Sequence, residues 1–327
     1  MEKNILYKII GAILVVVSSL LTASFGEARQ PECIVPSKMG GAFDLTCKLI
    51  QQGFKDSVVV MRPIRIVYMP GSIGADAYQH IITERNSDVN TIIAFSSGSL
   101  LNIAEGKFGT YNENSVKWLS AVALGYGVIS VKTDSNIRDL DDLVAMLQED
   151  PKSVVLGGNG GIGSQDWLKI ALLSKAAGLN MQDISYVPLD GGGEIIASLY
   201  KGDIDVMSSG VTETTPYLDS GDIRILAVLA DKRVEGRLSN IPTAKEQGYD
   251  VVWPIIHGFY MGPNVTEDEY NWWKEKFNEL LISQEFQVLL TEYDFLPFSV
   301  TGEELKVLIE KQIQDLRIVS EKFGLLK

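Results

Sequence analysis

The chain has few of the residues on which enzyme chemistry depends. It contains two histidines, His80 and His257, and neither lies in a metal-ligand spacing or near a Gly-x-Ser-x-Gly motif. It also contains only two cysteines, Cys33 and Cys47, and no nucleophile–base pair stands out if they are joined to each other. We therefore predict that the protein is not an enzyme, with no catalytic residues, no metal site and no cofactor.

Positive charge is scarce as well. The sequence has 29 Lys and Arg against 42 Asp and Glu, a net charge of -13, which argues against a nucleic-acid partner. A small anion can still bind, because exposed charges are screened beyond about 8 Å at physiological salt and local N–H donors dominate inside a cleft. Hydrophobic residues make up 46% of the chain, which is enough material for two cores.

One long apolar run is present, at the N-terminus. Lys3 and Lys8 precede or flank the apolar stretch from Ile9 to Leu21, and Gly26 and Ala28 place small residues where a signal peptidase needs them. The run is shorter than the ~20 residues that span a bilayer, and no cysteine follows closely enough for lipid attachment. We predict a signal peptide over residues 1–28, cleaved near Ala28. A membrane anchor is the alternative.

Both cysteines fit an exported protein. Cys33 begins the first predicted strand, and Cys47 lies about a turn and a half into the helix that runs back beside it. With rises of ~3.3 Å per strand residue and ~1.5 Å per helix residue, the two reach similar heights. A Cys33–Cys47 disulfide is therefore feasible and would contribute roughly 3 kcal/mol in the chain-entropy model. Two buried thiols are the alternative.

Strand and helix signals alternate along the chain, which indicates an α/β protein. Short strands are predicted between Ile34 and Leu229, and Trp118–Leu124 and Gly127–Val131 read as two separate strands. Helical patterns lie between strands, and the last stretch, Glu303–Phe323, has the apolar face of a packed amphipathic helix.

Glycine-bearing turns end several of the predicted strands and open the helices that follow. The first contains Gly40 and Gly41, the second contains Gly160 and Gly163, and a third is the segment DGGGE at 190–194. The first-turn N–H groups of a helix and its partial positive charge attract a carboxylate or phosphate. If two α/β domains face each other, such turns present convergent N–H groups to one small polyanion.

The second turn also fits a dinucleotide-binding fingerprint. Gly158, Gly160 and Gly163 satisfy Gly-x-Gly-x-x-Gly, and Asp190 closes the next strand as a ribose-binding acid would. However, the protein is predicted to be exported, the motif does not open the chain, and Asp190 lies far beyond Gly163. An NAD-dependent oxidoreductase is therefore the weaker alternative.

Five segments together resemble the solute-binding proteins of tripartite tricarboxylate transporters, the Bug-type receptors of Gram-negative bacteria. They are ECIVPSKMGGAFDLTC, VYMPGSIGADAY, GGIGSQDWLKIALL, VPLDGGGEIIASLYKGDIDVM and NIPTAKEQGYDVVWPIIHGFYMGP. They occur in the family's order and span essentially the whole mature chain. The similarity is closest to the branch that binds citrate and other tricarboxylates.

The resemblance implies an α/β, two-domain periplasmic-binding-protein (Venus-flytrap) fold with strand crossovers and a ligand cleft between the domains. Domain one is expected at 29–126 plus 252–327, and domain two at 127–251. The implied function is that of a periplasmic receptor, expected to be a monomer, which delivers a tricarboxylate such as citrate to the integral-membrane subunits of the transporter. An exported module that presents its ligand to a membrane sensor kinase is the alternative.

In the family, backbone N–H groups, small hydroxyl groups and ordered waters hold the ligand carboxylates. The matching positions in the first two turns are Gly40, Gly41, Ala42, Phe43, Asp44, Gly160, Gly161, Ile162, Gly163 and Ser164. The expected third wall and far side are formed by Ser96, Ser97, Ser99, Gly192 and Gly193.

The first turn departs from the usual family pattern, because Lys38 and Met39 stand where relatives have a proline and a small residue. Lys38 can supply the extra positive charge that a tricarboxylate demands, or it can simply be solvated. Asp44 would repel a ligand anion directly, so we assign it a water-organising or capping role.

Overall fold

The protein is described by a computed structural model, which covers residues 30–57, 60, 62–71 and 74–326. The predicted signal peptide at 1–28 lies outside the described residues. These residues form ten strands: β1 Glu32–Val35, β2 Arg65–Tyr68, β3 Thr91–Ser96, β4 Lys117–Lys132, β5 Val155–Asn159, β6 Ser185–Leu189, β7 Val206–Gly210, β8 Ile223–Val228, β9 Pro254–Met261 and β10 Leu296–Thr301. They also form ten α-helices: α1 Ala42–Asp56, α2 Ala75–Thr83, α3 Ser97–Ala104, α4 Leu140–Glu149, α5 Gln165–Ala176, α6 Gly192–Lys201, α7 Val211–Asp219, α8 Glu267–Leu281, α9 Gln284–Glu292 and α10 Gly302–Glu321.

The strands join in one sheet with the order β2-β1-β3-β9-β4-β7-β5-β6, and β8 and β10 also pair with β4. Pairing is parallel within β2-β1-β3 and within β7-β5-β6, as expected where helices connect successive strands. Every strand that pairs with β4 runs antiparallel to it. The sheet therefore consists of two parallel α/β halves on either side of a central antiparallel part.

Strand β4 belongs to both halves. Up to Tyr126 it pairs with β9 and β10, and from Gly127 onward it pairs with β7 and β8. We name the half with β1–β3, β9, β10, α1–α3 and α8–α10 lobe one, and the half with β5–β8 and α4–α7 lobe two. The prediction of two strands here is wrong. Gly127 is needed inside a continuous strand, because a β-carbon there would lie 2.5 Å from Lys169 Cδ.

A disulfide fixes β1 to α1 in lobe one. Cys33 and Cys47 are bonded, their Cα atoms are 5.9 Å apart, and both side chains are fully buried. They lie in an apolar cluster that includes Phe54, Trp273 and Phe277. The predicted disulfide is confirmed, so the alternative of two buried thiols is wrong. The bond holds the helix that follows the first glycine turn against its own strand.

The C-terminal helix α10 returns to lobe one, where it packs against α3 and β4. Its apolar face is buried through Leu305, Ile309 and Ile313, in agreement with the amphipathic pattern. Just beyond the helix, the Phe323 ring meets the edge of the Trp167 ring in lobe two at 5.9 Å. The end of the chain therefore contacts both lobes.

A buried histidine connects β9 to α1. His257 Nδ1 lies 3.2 Å from Thr46 Oγ1, and the Thr46 hydroxyl donates to the Ala42 carbonyl at 2.7 Å. Because that hydroxyl proton is committed to Ala42, we assign the donor role to the Nδ1–H of a neutral imidazole. Burial lowers the pKa of His257 from 6.5 to about 3. The folded protein therefore keeps this ring uncharged at neutral pH.

We expect acid to destabilise the fold in part through His257. The unfolded chain takes up this proton below about pH 6.5, whereas the folded protein takes it up only near pH 3. The contribution of His257 to the free energy of unfolding is fully present above the pKa that this side chain has in the unfolded chain. Below that pH the contribution falls by about 1.4 kcal/mol per pH unit. His257→Asn, whose amide can donate to Thr46 without titrating, should flatten the slope of unfolding free energy between about pH 6 and pH 4. Denaturant unfolding measures this, and an unchanged slope would contradict the assignment.

Candidate ligand-binding cleft

The candidate site lies where helices from the two lobes begin. The turn before α1 meets the turn before α6, since a β-carbon added at Gly192 would lie 3.6 Å from the Gly40 carbonyl oxygen. The start of α3 meets the start of α5, since a β-carbon added at Gly98 would lie 3.2 Å from Gln165 Cδ. The glycine-bearing turns that the sequence singled out are thus brought together between the lobes.

The buried carboxylate of Asp44 stabilises the first turn through hydrogen bonds. Gly40 adopts a φ of +92°, and its N–H donates to Asp44 Oδ2 at 2.8 Å. Lys48 and Tyr68 also donate to this carboxylate, each at 2.9 Å. Burial alone would raise the pKa of Asp44, but these hydrogen bonds outweigh it and lower the pKa below 3.8. The buried, ionised Asp44 therefore caps the turn through the Gly40 N–H, while the Ala42 amide at the start of α1 donates to Glu213.

The second turn is held in a similar way by its own lobe and by lobe one. Ser164 caps α5, because its Oγ accepts the Trp167 N–H at 3.2 Å. Lys107 of lobe one donates to the Gly163 carbonyl at 2.9 Å. At the tip of the turn, 72% of the Ile162 side chain is exposed, and a β-carbon added at Gly161 would meet no atom within 4 Å. The tip of the turn is therefore open, while its base is fixed.

The serines of the expected third wall are buried at the start of α3. Ser96 and Ser99 cap this helix by exchanging hydrogen bonds with its first turn. The Ser97 hydroxyl accepts the Ile256 N–H and the Gln312 amide, both at 2.9 Å. The sequence predicted that these three serines form the third wall of the site, and each hydroxyl has a hydrogen-bond partner within the protein. They support the wall of the cleft.

The third turn opens α6 on the lobe-two side. Gly191 adopts a φ of +105°, and its N–H donates to Asn159 Oδ1 at 2.7 Å, which joins this turn to the second one. Glu194 accepts the Asp190 N–H at 2.7 Å and so closes the turn. Gly193 is exposed, and a β-carbon added there would meet no atom within 4 Å. The second and third turns therefore form one continuous surface.

Lys38 reaches across the mouth of the cleft. Its ammonium forms an ion pair with Asp190 of the third turn, and both side chains are exposed. The hydrogen bond that Lys38 donates to the Asp190 carboxylate raises the pKa of Lys38. In this structure the Lys38 ammonium therefore links the first turn to lobe two.

Glu213 was not predicted from the sequence, although it lies at the centre of the cleft. It is in the first turn of α7, where its Oε2 accepts the Gly210 N–H at 3.2 Å. A β-carbon added at Gly41 would lie 3.9 Å from Glu213 Oε1 and one added at Gly192 would lie 3.6 Å from it. The only local signal is a strand that ends in Gly210 and is followed by a glutamate three residues later, a capping-box spacing.

Beneath Glu213 lies a buried ion pair. Lys169 Nζ is 2.7 Å from Asp166 Oδ1, and the exposed fractions of these residues are 0% and 1%. Lys169 also donates to the Ser209 carbonyl, and Asp166 accepts the Asn159 N–H at 2.8 Å. The pair therefore anchors the base of the second turn to β7, beside the part of β4 that changes partners.

The described residues offer little support for other classes of site. No group of three or more His, Cys, Asp or Glu side chains in this part of the chain can hold a metal ion. Among the same residues, no helix is long and apolar enough to cross a membrane. Asp190, the acid of the dinucleotide alternative, is paired with Lys38.

Comparison with known proteins identifies the family. The model of a family described as Tripartite tricarboxylate transporter family receptor matches residues 109–325. Protein BugT of Bordetella pertussis is 24% identical over 241 residues, which are 71% of this chain and 70% of BugT.

Solved structures show the same fold. The periplasmic binding protein BugD superimposes with a TM-score of 0.81 at 20% identity, covering 92% of this chain and 99% of BugD. MatC from Rhodopseudomonas palustris with bound malate gives a TM-score of 0.77 at 18% identity, over 90% and 99% of the two chains. An R. palustris protein with adipate gives 0.81 at 20% identity, over 91% and 98%. The two-domain periplasmic-binding-protein fold is confirmed, and the chain belongs to the tripartite tricarboxylate transporter receptors, solute-binding proteins that are not enzymes.

Proposed function

We propose that this receptor captures a tricarboxylate such as citrate and delivers it to the integral-membrane subunits of a tripartite transporter. The observation that carries the proposal is the meeting of three glycine-bearing helix starts, those of α1, α5 and α6, in one cleft. The first-turn N–H groups of each helix have no partner inside it, so each start can hold one carboxylate. The malate and adipate in two solved relatives support a small carboxylic acid as the ligand.

We propose that the protein works in the periplasm as a monomer, after cleavage near Ala28. The charged start, apolar run and small residues within 1–28 support export. The similar fold of BugD, a periplasmic binding protein, is consistent with this location.

We propose that the domains divide where β4 changes partners. Domain one would comprise 29–126 plus 252–327, and domain two would comprise 127–251. Tyr126 pairs with Pro254 of lobe one and Gly127 pairs with Gly210 of lobe two, which supports a boundary between them. A ligand in the cleft would then contact both domains and hold them together.

The contacts divide the proposed binding residues into two groups. We expect the amides of Gly41 and Phe43, and those at the open tip of the second turn, to meet carboxylates directly, and the Ala42 amide to do so once it leaves Glu213. Asp44 and the serines of α3 hold the turns in position, because their polar groups are engaged within the protein. The third turn, with Gly192 and Gly193, completes the far side.

Citrate is expected to bind the purified mature protein and to stabilise it. At a free concentration of one hundred times its Kd, a ligand that binds only the folded state raises the free energy of unfolding by about 2.7 kcal/mol. Calorimetric titration and thermal unfolding would measure this, with succinate and adipate as dicarboxylate comparisons. Binding of dicarboxylates without citrate would contradict a tricarboxylate receptor, and binding of no acid would contradict the whole proposal.

Two lysine variants, one at the cleft and one away from it, provide a test and its control. If Lys38 turns from Asp190 to a third carboxylate, Lys38→Ala should weaken citrate by about two- to fivefold and succinate by less, since exposed ion pairs are weak. Lys152→Ala removes an exposed lysine in the turn before β5 and should leave both affinities unchanged. Equal losses of affinity for citrate and succinate in Lys38→Ala would mean that Lys38 attracts anions in general and does not pair with a third carboxylate.

A further inference from the structure

We propose that Glu213 makes the cleft selective for acids that carry a hydrogen-bond donor, a hydroxyl or an ammonium group, on the carbon next to a carboxylate. The inference deepens the proposed function and rests on it, since it concerns which carboxylic acids the cleft accepts. It does not depend on whether the ligand has two carboxylates or three.

The position of Glu213 places it against any ligand in the cleft. The side chain belongs to lobe two, but its Oε1 lies 3.9 Å and 3.6 Å from the positions that β-carbons would take at Gly41 and Gly192, so it faces the turns before both α1 and α6. The Ala42 amide, in the first turn of α1, is one of the donors that stabilise its charged form. A carboxylate bound at the start of α1 would therefore lie beside the carboxylate of Glu213.

The negative charge of Glu213 is not neutralised by a direct partner. Within the described residues no Lys, Arg or His nitrogen lies within 4.0 Å of its carboxylate. The positive charge of Lys169 lowers the pKa of Glu213, but Lys169 is already paired with Asp166. On the facing helix, Asp44 is likewise paired with Lys48. When Glu213 is ionised, these groups together leave one excess negative charge at this point of the cleft.

Burial is the main factor that raises the pKa of Glu213, and the nearby Asp166 raises it further. Lys169 and the amides of Gly210 and Ala42 act in the opposite direction. The net effect raises the pKa, so the site favours the neutral form of Glu213 more than water does, and the charged form gains from any additional donor.

An ionised carboxylate accepts hydrogen bonds and donates none. An acid that places only methylene groups beside Glu213 gives its carboxylate no hydrogen-bond donor. The ligand carboxylate and the Glu213 carboxylate then repel each other. An acid with a hydroxyl or ammonium group next to its bound carboxylate donates to Glu213 instead, which replaces repulsion by a charge-assisted hydrogen bond. A site built to bond such a group rejects the analogue that lacks it.

The test compares acids that differ only in this donor. Citrate has a hydroxyl where tricarballylate has a hydrogen, and malate and aspartate have a hydroxyl and an ammonium group where succinate has a hydrogen. By calorimetric titration of the mature protein, the donor-bearing acid of a pair should bind at least about tenfold more tightly. Comparison of malate with aspartate shows whether the cleft prefers a hydroxyl or an ammonium group as the donor.

Glu213→Gln is the decisive variant. The amide oxygen can still accept the Gly210 N–H, and thermal unfolding checks that the fold is kept. The variant has no excess charge, so tricarballylate and succinate should bind more tightly and the ratio within each pair should fall below about threefold. Glu304→Gln is the matched control, because it makes the same change in the first turn of α10 at an exposed side chain, and it should preserve the wild-type ratio.

Three results would overturn the inference: equal affinities within each pair in the wild type, an unchanged ratio in Glu213→Gln, or an equal loss of the ratio in Glu304→Gln. In each of these the acids still bind, so the proposed function stands. If no acid binds the wild type, the proposed function fails and this inference fails with it.

Discussion

Lys169→Met is expected to lower the free energy of unfolding by about 3–5 kcal/mol, because it leaves Asp166 as an uncompensated buried charge. The two side chains are almost completely buried and their charged atoms are 2.7 Å apart. The substitution also removes the donor to the Ser209 carbonyl of β7. Chemical denaturation of the purified protein would measure the loss.

Two further variants test this reasoning. Lys311→Met breaks an i,i+4 pair with Asp315 on α10, whose side chains are 74% and 59% exposed, and it should cost less than about 1 kcal/mol. Asp166→Asn combined with Lys169→Met removes the stranded charge and should recover part of the loss. A Lys169→Met protein as stable as the Lys311→Met protein would show that the buried pair contributes nothing.

Gly161→Asp is expected to weaken ligand binding by at least about a hundredfold, since like charges set against each other cost several kcal/mol. The side chain can be accommodated, because a β-carbon at Gly161 meets no atom within 4 Å and the backbone is not in the left-handed region. In the empty protein an aspartate beside the start of α5 is favourable by about 0.3–1 kcal/mol through the helix dipole. Calorimetric titration should therefore show lost binding in a protein whose unfolding free energy is unchanged or slightly higher.

Gly161→Asn separates charge from bulk in this experiment. Asparagine has the size of aspartate without its charge, so it should weaken binding by less than the aspartate variant. If citrate binds Gly161→Asp as tightly as it binds the wild type, the second turn is not part of the ligand site.

The local parts of the site could be predicted from the sequence. A strand that ends in glycines before an amphipathic run is a short-range signal, and it located the starts of α1 and α5. The pairing of Cys33 with Cys47 was equally local, because it follows from the rise per residue of a strand and of the helix next to it. Both predictions depend on neighbouring residues and need no knowledge of the tertiary fold.

Contacts between distant segments could not be predicted in this way. Ser97 has the residue type of a ligand-binding hydroxyl, but its partner Gln312 comes from the last helix of the chain. Lys38 has the charge that a tricarboxylate needs, but Asp190 approaches it from the other lobe. Glu213 gives no sign in the sequence that it will meet the turn before α1. Each pairing arises only when the sheet places the two lobes face to face.

The strand β9 was not predicted for a related reason. Strands that are buried on both faces lack the alternation of polar and apolar residues that marks a half-exposed strand. β9 lies in the middle of the sheet, and its segment PIIHGFYM begins with a proline and contains a glycine, which both weaken a strand signal. Gly258 is needed there, because a β-carbon would lie 2.3 Å from the Ser120 carbonyl oxygen of β4.

The continuity of β4 limits how the two lobes can move. Because one strand is hydrogen-bonded into both halves of the sheet, the lobes cannot slide past each other or separate without breaking pairs along β4. The remaining motion is a bend where the strand passes from one set of partners to the other, between Tyr126 and Gly127. A hinge of this kind places the motion in a few residues that absorb the change in φ and ψ. We expect a bound ligand to fix the angle between the lobes, so that a membrane subunit touching both of them can distinguish a filled cleft from an empty one.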